Sequence, residues 1–243
     1  MTRPAIPVII TRAQPGADET AQRVQRMGLS AIVSPVLTQQ DRSEAALPDA
    51  ETLSGLVFTS ANGVRAYSAR RPDRTLPAWC VGPATAAAAR EAGYAQVRAS
   101  AGNAADLAAF IASQAAPATK PLLHVANAAA KGDLIKLLAD HGFATVFAPL
   151  YDMRPAAALS DAARNALTCD TPCLALIHSA KGAQRFADLC AEFCLNHLSA
   201  AVISDAAAKP LNAIKLSAIQ IAPRPNEAGL FQALDTALAT LSA

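Results

Sequence analysis

A twelve-residue pattern that occurs twice is the feature of this sequence that most constrains its fold. The first copy, LVFTSANGVRAY, spans residues 56–67, and the second, ALIHSAKGAQRF, spans residues 175–186. In each copy an apolar run stops at a serine and passes through alanine and glycine into an amphipathic segment. An unbroken apolar run is typical of a buried parallel strand, and serine or asparagine is typical of a helix start. Both copies therefore predict a strand whose carboxyl end leads into a helix.

A longer repeat predicts two domains of one plan. Pro7, Gly28 and Pro35 recur as Pro121, Gly142 and Pro149, at a constant offset of 114 residues. A period above about a hundred residues indicates a duplicated domain rather than a stacking unit. Strand-like and helix-like segments alternate along both halves, which predicts an α/β fold with parallel sheets.

Composition excludes several classes of function. The 243 residues are 52% hydrophobic and 16% charged, with a net charge of +2 and no basic stripe, which argues against a nucleic-acid partner. No apolar run approaches membrane-spanning length, and the stretch from Ala5 to Ile10 is too short for a signal peptide. The five cysteines form no framework spacing, which favours reduced thiols in a cytoplasmic protein.

Four loops at predicted helix starts are candidate anion-binding sites, because free N–H groups there attract negative charge. Two lie in each half, and two basic side chains lie nearby. The alternative is that these small polar residues only cap helices. The candidate binding residues are Arg12, Ser60, Asn62, Gly82, Thr85, Ser179, Lys181 and Ser204.

Other sites are poorly supported. Neither a G-x-G-x-x-G fingerprint nor a P-loop occurs, which argues against a nucleotide-dependent oxidoreductase. Cys190, Cys194 and His197 share a face of a helix predicted near residues 186–195, but cysteines there are better interpreted as small core residues, so we predict no metal. No serine or cysteine has a histidine placed by a triad signature.

The chain resembles the uroporphyrinogen-III synthase family. The resemblance rests on the order and spacing of VIITR at 8–12, FTSANGV at 58–64, VGPATA at 81–86, and Tyr151. It implies two flavodoxin-like parallel-sheet domains that face one another across a cleft and are joined by a two-stranded linker. On this basis we expect a discontinuous domain of residues 1–36 and 153–243, an inserted domain of residues 37–152, and linkers near 35–42 and 148–156.

The resemblance also implies an activity. Members of this family cyclise hydroxymethylbilane, a linear tetrapyrrole with eight carboxylates, and invert the last pyrrole, ring D, with loss of water. They need neither a metal nor an organic cofactor. Backbone N–H groups can hold many carboxylates without a large positive charge, which fits the charge balance here. We therefore expect a monomeric, cytoplasmic lyase of tetrapyrrole (haem, sirohaem) biosynthesis.

Residue roles follow from the matched positions. Tyr151 matches the family's cleft tyrosine and is the candidate catalytic residue. The chain departs from the family at Ser204–Ala207, where a Gly-x-x-Thr is usual, and at Ala126–Asn127, where a basic residue is usual. An alternative function is a hinged two-domain binding protein for a small anionic ligand, without catalysis.

Overall fold

A computed structural model describes residues 6–100, 102–130 and 133–241, and it divides the chain into two compact units. The first unit comprises Met1–Gln39 and Arg154–Ala243, and the second comprises Gln40–Met153. The described part leaves out residues 1–5 and 242–243 of the first expected domain. In the second expected domain it leaves out residues 101 and 131–132.

The first unit contains a five-stranded parallel sheet. Its strands are β1 (Pro7–Ile10), β2 (Ser30–Val33), β9 (Cys173–Ile177), β10 (Leu198–Val202) and β11 (Ala218–Ile221), and its helices are α1 (Gly16–Arg26), α6 (Asp161–Thr168), α7 (Ala180–Cys190), α8 (Asp205–Ala208) and α9 (Glu227–Leu241). The strand order is β11-β10-β9-β1-β2, and each neighbouring pair is parallel. Because all of these strands run the same way, their carboxyl ends share one edge of the sheet.

The second unit repeats this plan. Its elements are β4 (Gly55–Phe58), α2 (Ala61–Arg70), β5 (Ala78–Cys80), α3 (Pro83–Glu91), β6 (Val97–Ala99), α4 (Ala104–Gln114), β7 (Leu122–Asn127) and α5 (Asp133–Asp140). They join a six-stranded sheet of order β3-β8-β7-β4-β5-β6, in which β3 is Leu37–Asp41 and β8 is Thr145–Pro155. All register pairs from β8 to β6 are parallel. The expected α/β class with two mostly parallel sheets is thus confirmed.

The two neighbouring strands β3 and β8 carry the chain across both boundaries between the units. The Thr38 hydroxyl donates to the Arg154 carbonyl at 3.5 Å, and the Arg42 N–H donates to the Leu150 carbonyl at 2.8 Å. Higher numbers on one strand meet lower numbers on the other, so β3 and β8 run in opposite directions.

Burial explains why the two apolar runs become strands. All four residues of β4 and all five of β9 are buried, and the sheets are covered by helices on both faces. Gly28, Gly93 and Gly142 follow helices with φ of 76°, 94° and 84°, a left-handed conformation that glycine adopts most easily.

One predicted helix was wrong. The helix that follows Ser179 spans Ala180–Cys190, so it ends before residue 195, where the sequence placed its end. Cys194 and His197 therefore lie beyond the helix, and Cys194 is exposed while Cys190 is buried. Within the described ranges, no group of three or more histidine, cysteine or acidic residues is arranged to hold a metal. No described helix combines the length and apolar character that a membrane crossing requires.

Candidate active site

Three residues from three neighbouring strands meet at the carboxyl edge of the second unit's sheet. Ser60 follows β4, Asn127 ends β7, and Tyr151 lies in β8. The Tyr151 hydroxyl lies close enough to the Ser60 side chain and to the Asn127 backbone for both groups to lower its pKa. Ligands of open α/β sheets bind at this edge, so these residues form the core of the candidate site.

A β-bulge in β8 lies directly before Tyr151. Ala126 pairs with Pro149, but Asn127 pairs with Tyr151, so Leu150 is the extra residue. A side chain changes face at each step along a strand, and an extra residue therefore alters which face Tyr151 presents. The ladder continues past the bulge through a 2.8 Å bond from the Ala128 N–H to the Tyr151 carbonyl.

The Tyr151 side chain is only 4% exposed, and this burial raises the pKa of its hydroxyl. Its hydrogen bonds with Ser60 and Asn127 act in the opposite direction and lower the pKa, as bonds donated to the phenol oxygen do. Ser60 also accepts a 3.0 Å bond from the Asn62 N–H at the start of α2. The hydroxyl is therefore neutral near pH 7, and its own proton remains available for donation.

A buried histidine lies beneath this cluster. His124 in β7 is 3% exposed, its Nε2 lies 3.5 Å from the Thr59 hydroxyl, and its Nδ1 has no hydrogen-bond partner among the described residues. Its ring lies 5.5 Å from that of Phe147. Burial lowers the pKa of His124 to about 4, so the imidazole is neutral at pH 7.

At the start of α3, a ligand could contact backbone groups more easily than side chains. Gly82 precedes the helix with extended φ of −173°, gives no side-chain cap, and has no atom within 4 Å of the position that a Cβ would occupy. Thr85 is 6% exposed, so its side chain is largely covered. Any ligand at this loop would meet the main chain around Gly82.

Ser179 and Ser204 occupy corresponding places at the carboxyl edge of the first unit's sheet. Ser179 accepts a bond of 3.0 Å from the Gly182 N–H, and Ser204 accepts one of 3.4 Å from the Ala207 N–H. Both serines therefore cap helices, as Ser60 does. Lys181 is exposed and has no ion pair within the described residues.

Arg12 is held within a polar cluster of the same unit. Its Nη1 lies 3.3 Å from Glu227 Oε2 and donates to Thr20 Oγ1 at 3.2 Å, while Thr20 donates to Glu227 Oε1 at 3.2 Å. His178 Nε2 lies 3.4 Å from Glu227 Oε2 without hydrogen-bond geometry. Burial raises the pKa of Glu227, but His178, Arg12 and Thr20 outweigh this effect and lower it. The carboxylate that Arg12 meets in this structure is that of Glu227.

Sequence reasoning missed two of these partners. Asn127 contacts Tyr151 through its backbone, so its side-chain identity gives no signal, and its side chain instead accepts from the Ala129 N–H at 2.8 Å. Glu227 lies 215 residues from Arg12. Only the folded sheet brings these two residues together.

Comparison with known proteins identifies the family. A family model described as "Uroporphyrinogen-III synthase HemD" matches residues 18–232. A search of curated proteins found no match.

Two solved structures support the same fold. Uroporphyrinogen-III synthetase from Helicobacter pylori 26695 superposes with a TM-score of 0.65 at 16% identity, covering 96% of this chain and 99% of that one. A mutant uroporphyrinogen III synthase from the extremely thermophilic bacterium Thermus thermophilus gives a TM-score of 0.51 at 13% identity, covering 97% and 100%. At these identities the matches establish the fold, and the family model establishes the relationship. The chain belongs to the uroporphyrinogen-III synthase family, the cyclising lyases of tetrapyrrole biosynthesis.

Proposed function

We propose that this chain closes hydroxymethylbilane to uroporphyrinogen III, with Tyr151 donating a hydrogen bond to the departing hydroxyl. The observation that carries the assignment is the meeting of Tyr151, Ser60 and Asn127 at the carboxyl edge of one sheet. Ser60 and Asn127 both lower the pKa of the Tyr151 hydroxyl, as donors directed at its oxygen do, so its proton can point toward a ligand. The Asn62 N–H, the Ser60 hydroxyl and the Tyr151 hydroxyl then form a chain of donors that polarise one another.

The reaction needs one proton for the departing hydroxyl and precise positioning of the tetrapyrrole chain. The hydroxymethyl group leaves as water and gives an azafulvenium cation. The substituted carbon of ring D attacks this cation to give a spiro intermediate, which fragments and recloses with ring D inverted. A raised pKa makes Tyr151 a hydrogen-bond donor rather than a strong acid. Most of the selectivity therefore comes from holding the chain so that the right carbon is within reach.

Main-chain N–H groups are proposed to hold the carboxylates. In the second unit these are the groups at the start of α3 beside Gly82, where no side chain caps the helix. In the first unit, Ser179, Lys181 and Ser204 lie at the corresponding edge. Contact of one substrate with both sets stays a prediction, as do the side-chain contacts expected of Arg12 and Thr85. Arg12 would have to exchange Glu227 for a substrate carboxylate.

We further propose that the protein is cytoplasmic and monomeric and requires no cofactor. The described cysteines are all unpaired, which is compatible with a reducing compartment. Light scattering at assay concentration would test whether the protein is a monomer, and the mass of a dimer would contradict this proposal.

The alternative function was a hinged binding protein without catalysis. The family match does not support it, because the matched family consists of enzymes.

The experiment compares Tyr151→Phe with the wild type in turnover of hydroxymethylbilane. We expect kcat to fall at least about tenfold, a loss of about 1.4 kcal/mol of transition-state stabilisation. Tyr94→Phe is the matched control, because Tyr94 is a 3% exposed tyrosine of the same unit whose hydroxyl contacts Ser68 instead. Wild-type kcat in Tyr151→Phe, with an unchanged melting temperature, would remove the assigned role.

A further inference from the structure

A cavity of about 290 Å³ opens at the opposite edge of the second unit's sheet. Its lining includes Ser54, Pro77 and Gln96, each of which directly precedes a strand. Ser60 and Gly82 follow the carboxyl ends of the same group of strands. The cavity is therefore separate from the candidate active site, and its volume is at the small end of the range of about 300–1,000 Å³ for ligand pockets.

The inner wall of this cavity is aromatic and apolar. Trp79, Leu122 and Phe143 are 4%, 3% and 6% exposed, and Ile111 is fully buried. The Trp79 ring makes an edge contact with the Phe110 ring, with 6.1 Å between the centroids. Such a wall favours a planar ring as ligand.

The backbone makes room for this indole at the first residue of β4. A Cβ on Gly55 would lie 3.2 Å from Trp79 Nε1, and equally close to a methyl carbon of Leu122 and the carbonyl of Pro77. A glycine inside a strand often marks such a close approach. The absence of a side chain at Gly55 thus leaves space for Trp79 in the wall of the cavity.

One cation stands at the rim. The Arg98 guanidinium lies 5.0 Å from the centre of the Trp79 ring, and its Nη1 donates a long 3.5 Å bond to the Gln114 carbonyl. Within the described residues no carboxylate pairs with Arg98. An unneutralised guanidinium beside an aromatic wall complements a ring that carries a carboxylate.

We propose that this cavity binds a small monocyclic aromatic carboxylate, with the ring against Trp79 and the carboxylate on Arg98. A cavity of about 290 Å³ is too small for the four rings of a linear tetrapyrrole. The proposal is independent of the catalytic assignment, because it rests on other residues at the other edge of the sheet.

Trp79 is the sole tryptophan of the chain, so intrinsic fluorescence reports directly on this cavity. The experiment titrates the full-length protein with benzoate and, in parallel, with neutral benzamide and with acetate. We expect saturable quenching by benzoate at a Kd at least about tenfold lower than that of benzamide, since the carboxylate gains charge-assisted hydrogen bonds. Acetate, which lacks the ring, should give no saturable change.

Variants then test the roles of the two groups. Arg98→Gln should abolish the preference for benzoate over benzamide, while Arg90→Gln, a change of another exposed arginine, should preserve it. Equal quenching by benzoate and benzamide in the wild type, or an unchanged preference in Arg98→Gln, would overturn the proposal. Absence of saturable benzoate quenching would overturn it as well.

Discussion

The buried histidine beneath the candidate site should make stability depend on pH in a calculable way. His124 has its pKa lowered from 6.5 to about 4 by burial in the folded protein. The unfolded chain therefore binds a proton at its ordinary pKa, while the folded protein does not. Stability from this group is fully present above pH 6.5 and is lost as the pH falls toward 4.

The size of the effect follows from the two pKa values. Each pH unit between them is worth about 1.36 kcal/mol, so the interval from 6.5 to about 4 corresponds to about 3 kcal/mol of unfolding free energy. Because His124 is 3% exposed, solvent screening reduces this figure little. A loss of about 3 kcal/mol is a large share of the stability of an ordinary domain.

The assay is urea unfolding from pH 7 to pH 4 in the wild type and in His124→Leu. The variant lacks the titrating group, so the wild type should lose about 3 kcal/mol more than the variant across this range. His141→Asn is the matched control, because His141 is exposed and the change should leave the wild-type dependence intact. If His124→Leu does not fold, the titration of the His124 ring by NMR gives the same answer. Equal pH dependence in wild type and variant, or a measured pKa near 6.5, would show that His124 is not buried in its neutral form.

Three further predictions concern substrate binding and stability. Gly82→Ala should raise KM for hydroxymethylbilane and leave the melting temperature unchanged, since the new Cβ would have no non-neighbouring protein atom within 4 Å. Gly63→Ala should lower the melting temperature, since its Cβ would lie 2.8 Å from the Val125 carbonyl oxygen. Unchanged KM in Gly82→Ala would count against that loop. Glu227→Gln should cost under about 1 kcal/mol because the carboxylate is 38% exposed. Because folding lowers the pKa of Glu227, the stability lost in Glu227→Gln should be greatest above the ordinary pKa of 4.5. This loss should vanish as the pH falls through the pKa of Glu227 in the folded protein. A loss of stability that grows at low pH would contradict the prediction.

Much of the fold was accessible from the sequence because local signals agreed with the tertiary structure. The apolar runs that contain β4 and β9 are buried on both faces, and serines at their ends cap the following helices. Helix α6 was not predicted, because it has only eight residues and buries only Ala163 and Leu167.

The details of the candidate site were less accessible. Tyr151 was identified through the family resemblance, but its partners depend on a one-residue bulge in β8 that no local sequence pattern marks. The pairing of Arg12 with Glu227 joins the first strand to the last helix, and side-chain type alone does not specify such a distant contact. Loops that were expected to bind anions could be located, but their serines already accept N–H bonds from their own helices.

The isomer of uroporphyrinogen that the protein makes decides whether the proposed function is right. Hydroxymethylbilane, generated in situ, is incubated with the purified chain, and the oxidised products are separated by chromatography. We expect the type III isomer, formed faster than the spontaneous cyclisation. Type I isomer alone, at the rate of a protein-free reaction, would contradict it.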